Sequence, residues 1–338
     1  MKKLSVVTAV FFVFFAMFAN ILHAQLIAPQ GRLTLATNTP VMTADVVNAT
    51  TIYYTPYQGN TVPVYNSGTS TFSPMAFSQF QLNLSSSYQT QSNIYDLFIG
   101  YGSPGGGAAR LYLCAGPAWS SLTSRGTSAA LTQWNGLWVN ASTINCYNQA
   151  GTVSGPAAYF DYVGSVYMTG NGETAMQFQP AATGGGTNNF IALYNAYNRV
   201  KAVAINEDNT TSWSYGSTTL RPADNSTSNR ISFLDGLQQS FIDSEYQCFI
   251  EVSNAGGLIS LGLDSTTTAA GTLASWNSAA AATFSSPIAK LSSYPLLGLH
   301  YVQALESGQG TTTAYFGSTV QIAGYPQPGQ ALTLNWQY

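Results

Sequence analysis

The chain has 338 residues, only 7% of them charged, and its 13 acidic residues outnumber its 10 basic ones. That balance excludes the basic footprint of a nucleic-acid binder. A hydrophobic share of 45%, with 21 Tyr, 17 Phe and 6 Trp, excludes a disordered chain. The polar surface is therefore left to Ser, Thr, Asn, Gln and Gly, a make-up that suits extracellular β-proteins, shells and fibres.

The chain opens with a secretory signal pattern. Lys2 and Lys3 form a basic start, Leu4 to Phe18 is apolar, and Leu22-His23-Ala24 ends in a small residue. The apolar run is short for a membrane span, which needs about 20 residues. Cleavage is expected between Ala24 and Gln25. It leaves 314 residues with 8 basic against 13 acidic, a net charge of −5. No second long apolar segment follows, so no membrane span is expected in the mature chain.

Beyond the signal, helical periodicity is scarce. Short alternating runs sit between Gly, Asn, Ser and Pro punctuation, the pattern of an all-β sandwich or barrel. Length sets a prior of about two domains. The reading is two jelly-roll-like β-sandwich domains in tandem, 25–180 and 190–338, with 181–189 as a Gly-rich linker or loop inside "QPAATGGGTNNF".

"GSPGGGAAR" at 102–110 lacks the strand–glycine–helix context and the Lys-Ser/Thr ending of a phosphate loop, so it reads as a mobile surface loop. "LTQWNGLWVN" at 131–140 centres on Asn-Gly, the strongest short hairpin signal. A two-residue turn puts Trp134 opposite Leu137, Gln133 opposite Trp138, and Leu131 opposite Asn140. Trp134, Leu137, Thr132 and Val139 then share one face. Trp138, Gln133, Asn140 and Leu131 share the other. Trp134 is expected in the core, and Trp138 with the amides of Gln133 and Asn140 is the candidate ligand-binding group, set against the bland expectation that a neighbouring loop covers Trp138.

"NEDN" at 206–209 offers oxygens for weak calcium chelation but lacks the spacing of an EF-hand loop, so the expected reading is a solvated turn. "FIDSEYQCFIEV" at 241–252 reads as a strand. Ile242, Ser244, Tyr246, Cys248, Ile250 and Val252 form its core face. Phe241, Asp243, Glu245, Gln247, Phe249 and Glu251 form its mostly wet face. Asp243 and Glu245 could serve glycosidase chemistry or calcium, but a solvated strand face is the expected reading. "SNAGG" turns this strand into "LISLGLD" as a hairpin, and 273–284 is expected to be helical by its alanine content. His300 in "LGLHYVQ" has no G-x-S-x-G elbow to serve and reads as structural.

Cys114, Cys146 and Cys248 are too far apart, and too poor in partner histidines, for a zinc site. No metal and no cofactor is expected. Cys248 lies on an apolar face and reads as a buried free thiol. Export permits a Cys114–Cys146 disulfide, worth about 3–4 kcal/mol by loop closure. Three reduced cysteines are the alternative. Sequons at Asn48, Asn83, Asn140, Asn209 and Asn225 read as chance in an Asn/Ser/Thr-rich chain.

An ordered set of stretches carries a resemblance. "GRLTLATNTPVMTADVVNATTIYYTPYQGNTVPVY" at 31–65 leads. "YDLFIGY", "AGPAWSSLTSRGT", "NGLWVN" and "YVGSVYMTGNGET" follow, then "LYNAYNRV", "TSWSY", "LGLDSTT" and "GLHYVQALESG". Together these resemble a family of uncharacterised virion-associated, tail-fibre-like proteins of tailed phages and prophages of proteobacteria, over nearly all of the mature chain. The resemblance implies β-rich architecture and a structural or attachment role, and supplies no catalytic residues. Here the family-like region follows a signal pattern, so either a cell exports the module or a phage product is itself exported.

These readings lead to a non-enzymatic surface or virion protein, secreted or virion-associated, for attachment or assembly. It would bind a cell-surface glycan or envelope component weakly and multivalently, most simply as a homotrimer. The alternatives are a carbohydrate-active hydrolase using strand carboxylates and a ligand-free structural spacer.

Overall fold

Alternating apolar and polar runs become strands along the whole chain, and the fold is all-β. The computed structural model describes residues 28–280, 283–310, 312–318 and 329–338, so the signal pattern and its cleavage site lie outside the described residues. No helix among the described residues is long and apolar enough to cross a membrane.

The first half centres on Ile94–Gly102, Arg110–Ala118 and Asp161–Tyr167 in an eight-stranded sheet. That sheet continues through Ile144–Asn148 and Gly151–Gly155 on one side, and Leu137–Asn140 and Leu131–Trp134 on the other. A three-stranded sheet of Gly31–Thr34, Thr51–Pro56 and Phe80–Asn83 accompanies it, and Leu33, Ile52 and Leu82 share a core with Leu97, Leu113 and Val163.

The second half is built on another eight-stranded sheet, which includes Arg230–Asp235, Gly298–Gly308, Ala255–Leu263 and Ala274–Ser278. Its partner layer holds two four-stranded sheets. One is ordered Lys201–Asn206, Ala331–Gln337, Ile242–Gln247, Ile288–Ser293. The other is ordered Trp213–Tyr215, Thr313–Phe316, Phe249–Val252, Thr283–Ser285. Period two sends Leu332, Leu334 and Trp336 inward and Thr333, Asn335 and Gln337 outward. Phe233 meets Trp336 with ring centroids 4.5 Å apart.

The boundary expected at 181–189 does not interrupt this pairing. Leu193–Asn195 pairs antiparallel with Asp161–Tyr167, and Val46–Ala49 with Thr174–Met176 extends the second large sheet. The sandwiches therefore exchange strands and share one apolar core. The glycine stretch is held in place instead of linking freely. Gly185 N donates to Asp208 Oδ1 and Thr210 Oγ1, and Ser226 Oγ donates to Gly185 O. Positive φ at Gly185 and Gly186 brings the backbone that close.

Other local expectations change for tertiary reasons. Residues 241–252 divide at Cys248 into strands of two different sheets. The expected core face is buried throughout, but Phe249 is also buried, stacked on Phe284 and packed on Phe316. "SNAGG" makes no hairpin: Phe249–Val252 pairs with Thr283–Ser285 and Thr313–Phe316, while Ala255–Leu263 pairs with Ala274–Ser278 and Gly298–Gly308. Asn254, in the left-handed region, turns the chain from one layer to the other. Ala274–Ser278 is thus a strand and not part of a helix over 273–284, because sheet pairing outweighs alanine's small intrinsic preference. "NEDN" is no solvated turn, since Asn206 and Asp208 are fully buried.

Buried guanidinium groups tie distant segments together. Arg125 donates through Nε and Nη2 to both oxygens of Asp96, at 2.7 and 3.2 Å. The same Nη2 reaches Tyr162 Oη and Gly236 O, and the guanidinium lies 4.2 Å from the Trp119 ring. Ser165 Oγ donates to Asp96 Oδ1, so the carboxylate is well satisfied. Arg32, fully buried, donates to the carbonyls of Pro40, Asn198 and Tyr338. Arg125→Ala leaves Asp96 charged and buried, and is expected to lower stability by about 3–5 kcal/mol. Urea unfolding checks this, and a loss under about 1 kcal/mol would show that Asp96 is not held by this pair.

Candidate ligand-binding face

The hairpin forms in the expected register, with Trp138 opposite Gln133 and Asn140 opposite Leu131 across a turn with positive φ at Asn135 and Gly136. Trp134 is half-buried and packs on Phe72, with ring centroids 5.1 Å apart. The expected site is only partly assembled. Gln133 is exposed, but Trp138 is half-buried against the cluster around Cys114, Cys146 and Phe160. Asn140 is fully buried. Its Nδ2 donates to Ser142 O and Pro156 O, and its Oδ1 accepts from Tyr159 N and Phe160 N. That carboxamide holds the 156–160 loop and cannot serve a surface ligand.

Cys114 and Cys146 form the disulfide between neighbouring strands, and Cys248 is a buried free thiol pushed up to about 12 by burial. His300 is buried, with Nδ1 2.6 Å from Asp264 Oδ2 and Nε2 3.0 Å from Leu297 O. Burial pulls its pKa down, but these two acceptors raise it on balance. Glu306 is fully buried beside Arg221 and the Trp213 indole, and burial pushes its carboxyl up to about 7. Both are internal staples of the long central strand.

A different surface gathers accessible chemistry. The outer face of the sheet containing Ile242–Gln247 carries Val203, Asn335, Asp243 and Ser292 as one row across four strands. The next row is Ile205, Thr333, Glu245 and Lys290. A cleft of about 660 Å³ opens beside the first row, lined by Lys201, Val203, Gln239, Phe241, Asp243 and Asn335, with Gln337 and Trp336. Phe241 is 55% exposed and Val203 50%, so the cleft presents apolar surface to water. Tyr294, just past the edge strand, is 83% exposed. Asn335 Nδ2 donates to Asp243 Oδ2 at 3.1 Å, and Lys290 pairs with Glu245 at 2.6 Å. An aromatic face ringed by carboxamides, which both donate and accept, suits a neutral hydroxylated ligand.

The wet row headed by Phe241 is legible in 241–252. The strands beside it were missed, although "KAVAIN" and "ALTLNWQ" carry the same alternation. No protein-family model matches the chain, and no curated protein sequence matches it.

On the strand next to the hairpin, opposite Val139, lies Asp161, fully buried, with neither carboxyl oxygen hydrogen-bonded. Burial raises its pKa well above the ordinary 3.8, which favours the neutral acid. Between the ordinary and the raised value the native state keeps a proton that the unfolded chain releases. Stability is therefore lost as pH rises through that window. Asp161→Asn, close in shape to the neutral acid, removes this dependence. Melting curves are expected to show the variant at least as stable as wild type at pH 8. Its advantage should shrink toward pH 4, by at most about 1.4 kcal/mol per pH unit. An advantage that does not change with pH would mean Asp161 is ionised.

Proposed function

We propose that the chain is a non-catalytic attachment protein, exported or virion-borne, that binds a neutral glycan or envelope component through the outer face at Phe241. The observation that carries this reading is the exposed Phe241 ring beside Asn335, Gln337 and Gln239 at the cleft. The low charge of the chain supports it, since an amide- and hydroxyl-rich surface makes short-range hydrogen bonds with little electrostatic steering. The tail-fibre-like resemblance points the same way. One such cleft binds weakly, and linked copies raise avidity by roughly 10²–10⁴ where geometry permits. An oligomer, most simply a trimer, is part of the proposal.

A hydrolase is the second reading, because Asp243 borders the same cleft and Glu245 lies two residues along the same face. Glu245 is paired with Lys290, which leaves it poorly placed to attack or protonate a substrate.

Phe241→Ser is expected to weaken binding to a neutral polysaccharide on a glycan array by about tenfold or more, with melting and circular dichroism unchanged. Trp138→Ser is expected to destabilise the fold. Unchanged binding by folded Phe241→Ser would remove the site, and release of reducing sugar by wild type would replace attachment with hydrolysis.

A further inference from the structure

The segment 183–187, the turn 206–210 and the loop 223–229 meet at a buried, oxygen-rich point. Thr210 bridges two carboxylates there. Its backbone N donates to Asp208 Oδ1 at 2.8 Å, and its Oγ1 donates to Asp224 Oδ2 at 2.8 Å. Gly185 N and Asn229 Nδ2 are the other donors to Asp208. Every donor named is thus already committed, and a spare buried donor beside Asp208 is Nε2 of Gln330, whose Oε1 accepts from Asp208 N. Asn229 is fully buried, and its Oδ1 has no hydrogen-bond partner. Its carboxamide lies against Asp208, and its Oδ1 faces Gly186, where a Cβ would collide with it. Asn206 Oδ1 and Gln303 Oε1 also lack partners, and both residues bond to the same 226–230 segment through their amide nitrogens. The nearby cation, Arg221, is engaged by Glu306. Two facing carboxylates and unpaired buried amide oxygens are costly without a positive charge between them.

We propose that Asp208, Asp224 and Asn229 Oδ1 hold a divalent cation, calcium, under the Gly185–Gly186 turn. Among the described residues no three His, Cys, Asp or Glu side chains converge, so a soft or imidazole-ligated metal has no donors here. Carboxylate and amide oxygens in irregular array suit calcium, whereas magnesium demands a near-ideal octahedron. Bound calcium would fasten the glycine stretch to both loops.

The test uses the full mature chain, stripped with EDTA and titrated with calcium chloride in a calorimeter. One ion per chain is expected, with a rise of about 2–4 °C in melting temperature at tenfold excess over the Kd. Asp224→Asn, whose new side chain tolerates the positive φ at that position, is expected to lose both the heat and the shift while melting like wild type in EDTA. Asn229→Asp is expected to melt lower than wild type in EDTA and to regain most of the loss in calcium. Absence of heat and shift in wild type overturns the site and leaves ordered water as the occupant. A response that survives in Asp224→Asn, or an Asn229→Asp defect equal with and without calcium, overturns it as well.

Discussion

The buried pair of Asp96 and Arg125 shows the constraint on which the structure depends. Charge is scarce, and this chain puts much of it inside. Asp96, Asp161, Asp208, Asp235 and Glu306 are all buried, as is Arg32. Asp96, Asp208, Glu306 and Arg32 are tied to segments far away in sequence, while Asp235 holds the turn 237–240 just after it. Buried ionic groups add little net stability beside an apolar core, but removing one partner is severe. Here they fix which loop lies on which sheet. Arg125 joins the Trp119 loop, two strands of the first sheet and the turn at Gly236.

That allocation leaves the exterior to hydroxyls and amides. On a face of this kind a single exposed aromatic ring dominates the apolar character. The four-stranded sheet holding Phe241 is backed by Tyr246, Leu334 and Trp336, so its outer side chains stand on a rigid layer. The 131–140 hairpin is different. Each of its faces is partly covered, one by Phe72 and the other by the disulfide cluster, and its amide at Asn140 is spent on a loop. A rigid, uncovered face is the better platform for a ligand, and this distinction depends on what packs over a strand.

Strand alternation made much of the fold legible in the sequence. The faces of 241–252 and the buried Cys248 follow from period two, the hairpin register at 131–140 follows from its Asn-Gly turn, and the Cys114–Cys146 pair is what remains for an exported chain once Cys248 is buried. What alternation cannot carry is the identity of the next sheet over. The division at Cys248 and the strand at 274–278 depend on partners far along the chain. Glycines at 184–186 look the same in a linker as in a turn pressed against Asp208 and Asn229. The burial of Asn140 was hidden for a similar reason: an amide on the outer face of a hairpin is indistinguishable from one that caps a neighbouring loop. The cleft at Phe241 needs three strands from 201–206, 242–247 and 331–337, and no local pattern brings them together.

The most direct measurement is hydroxyl-radical footprinting of the mature protein with and without a neutral polysaccharide that retains it. If the outer sheet face is the binding surface, Phe241 and Val203 lose reactivity on binding, while Trp138 and Tyr88, an exposed ring stacked on Tyr147 in the first half, keep theirs. Protection at Trp138 with Phe241 unchanged would contradict that placement.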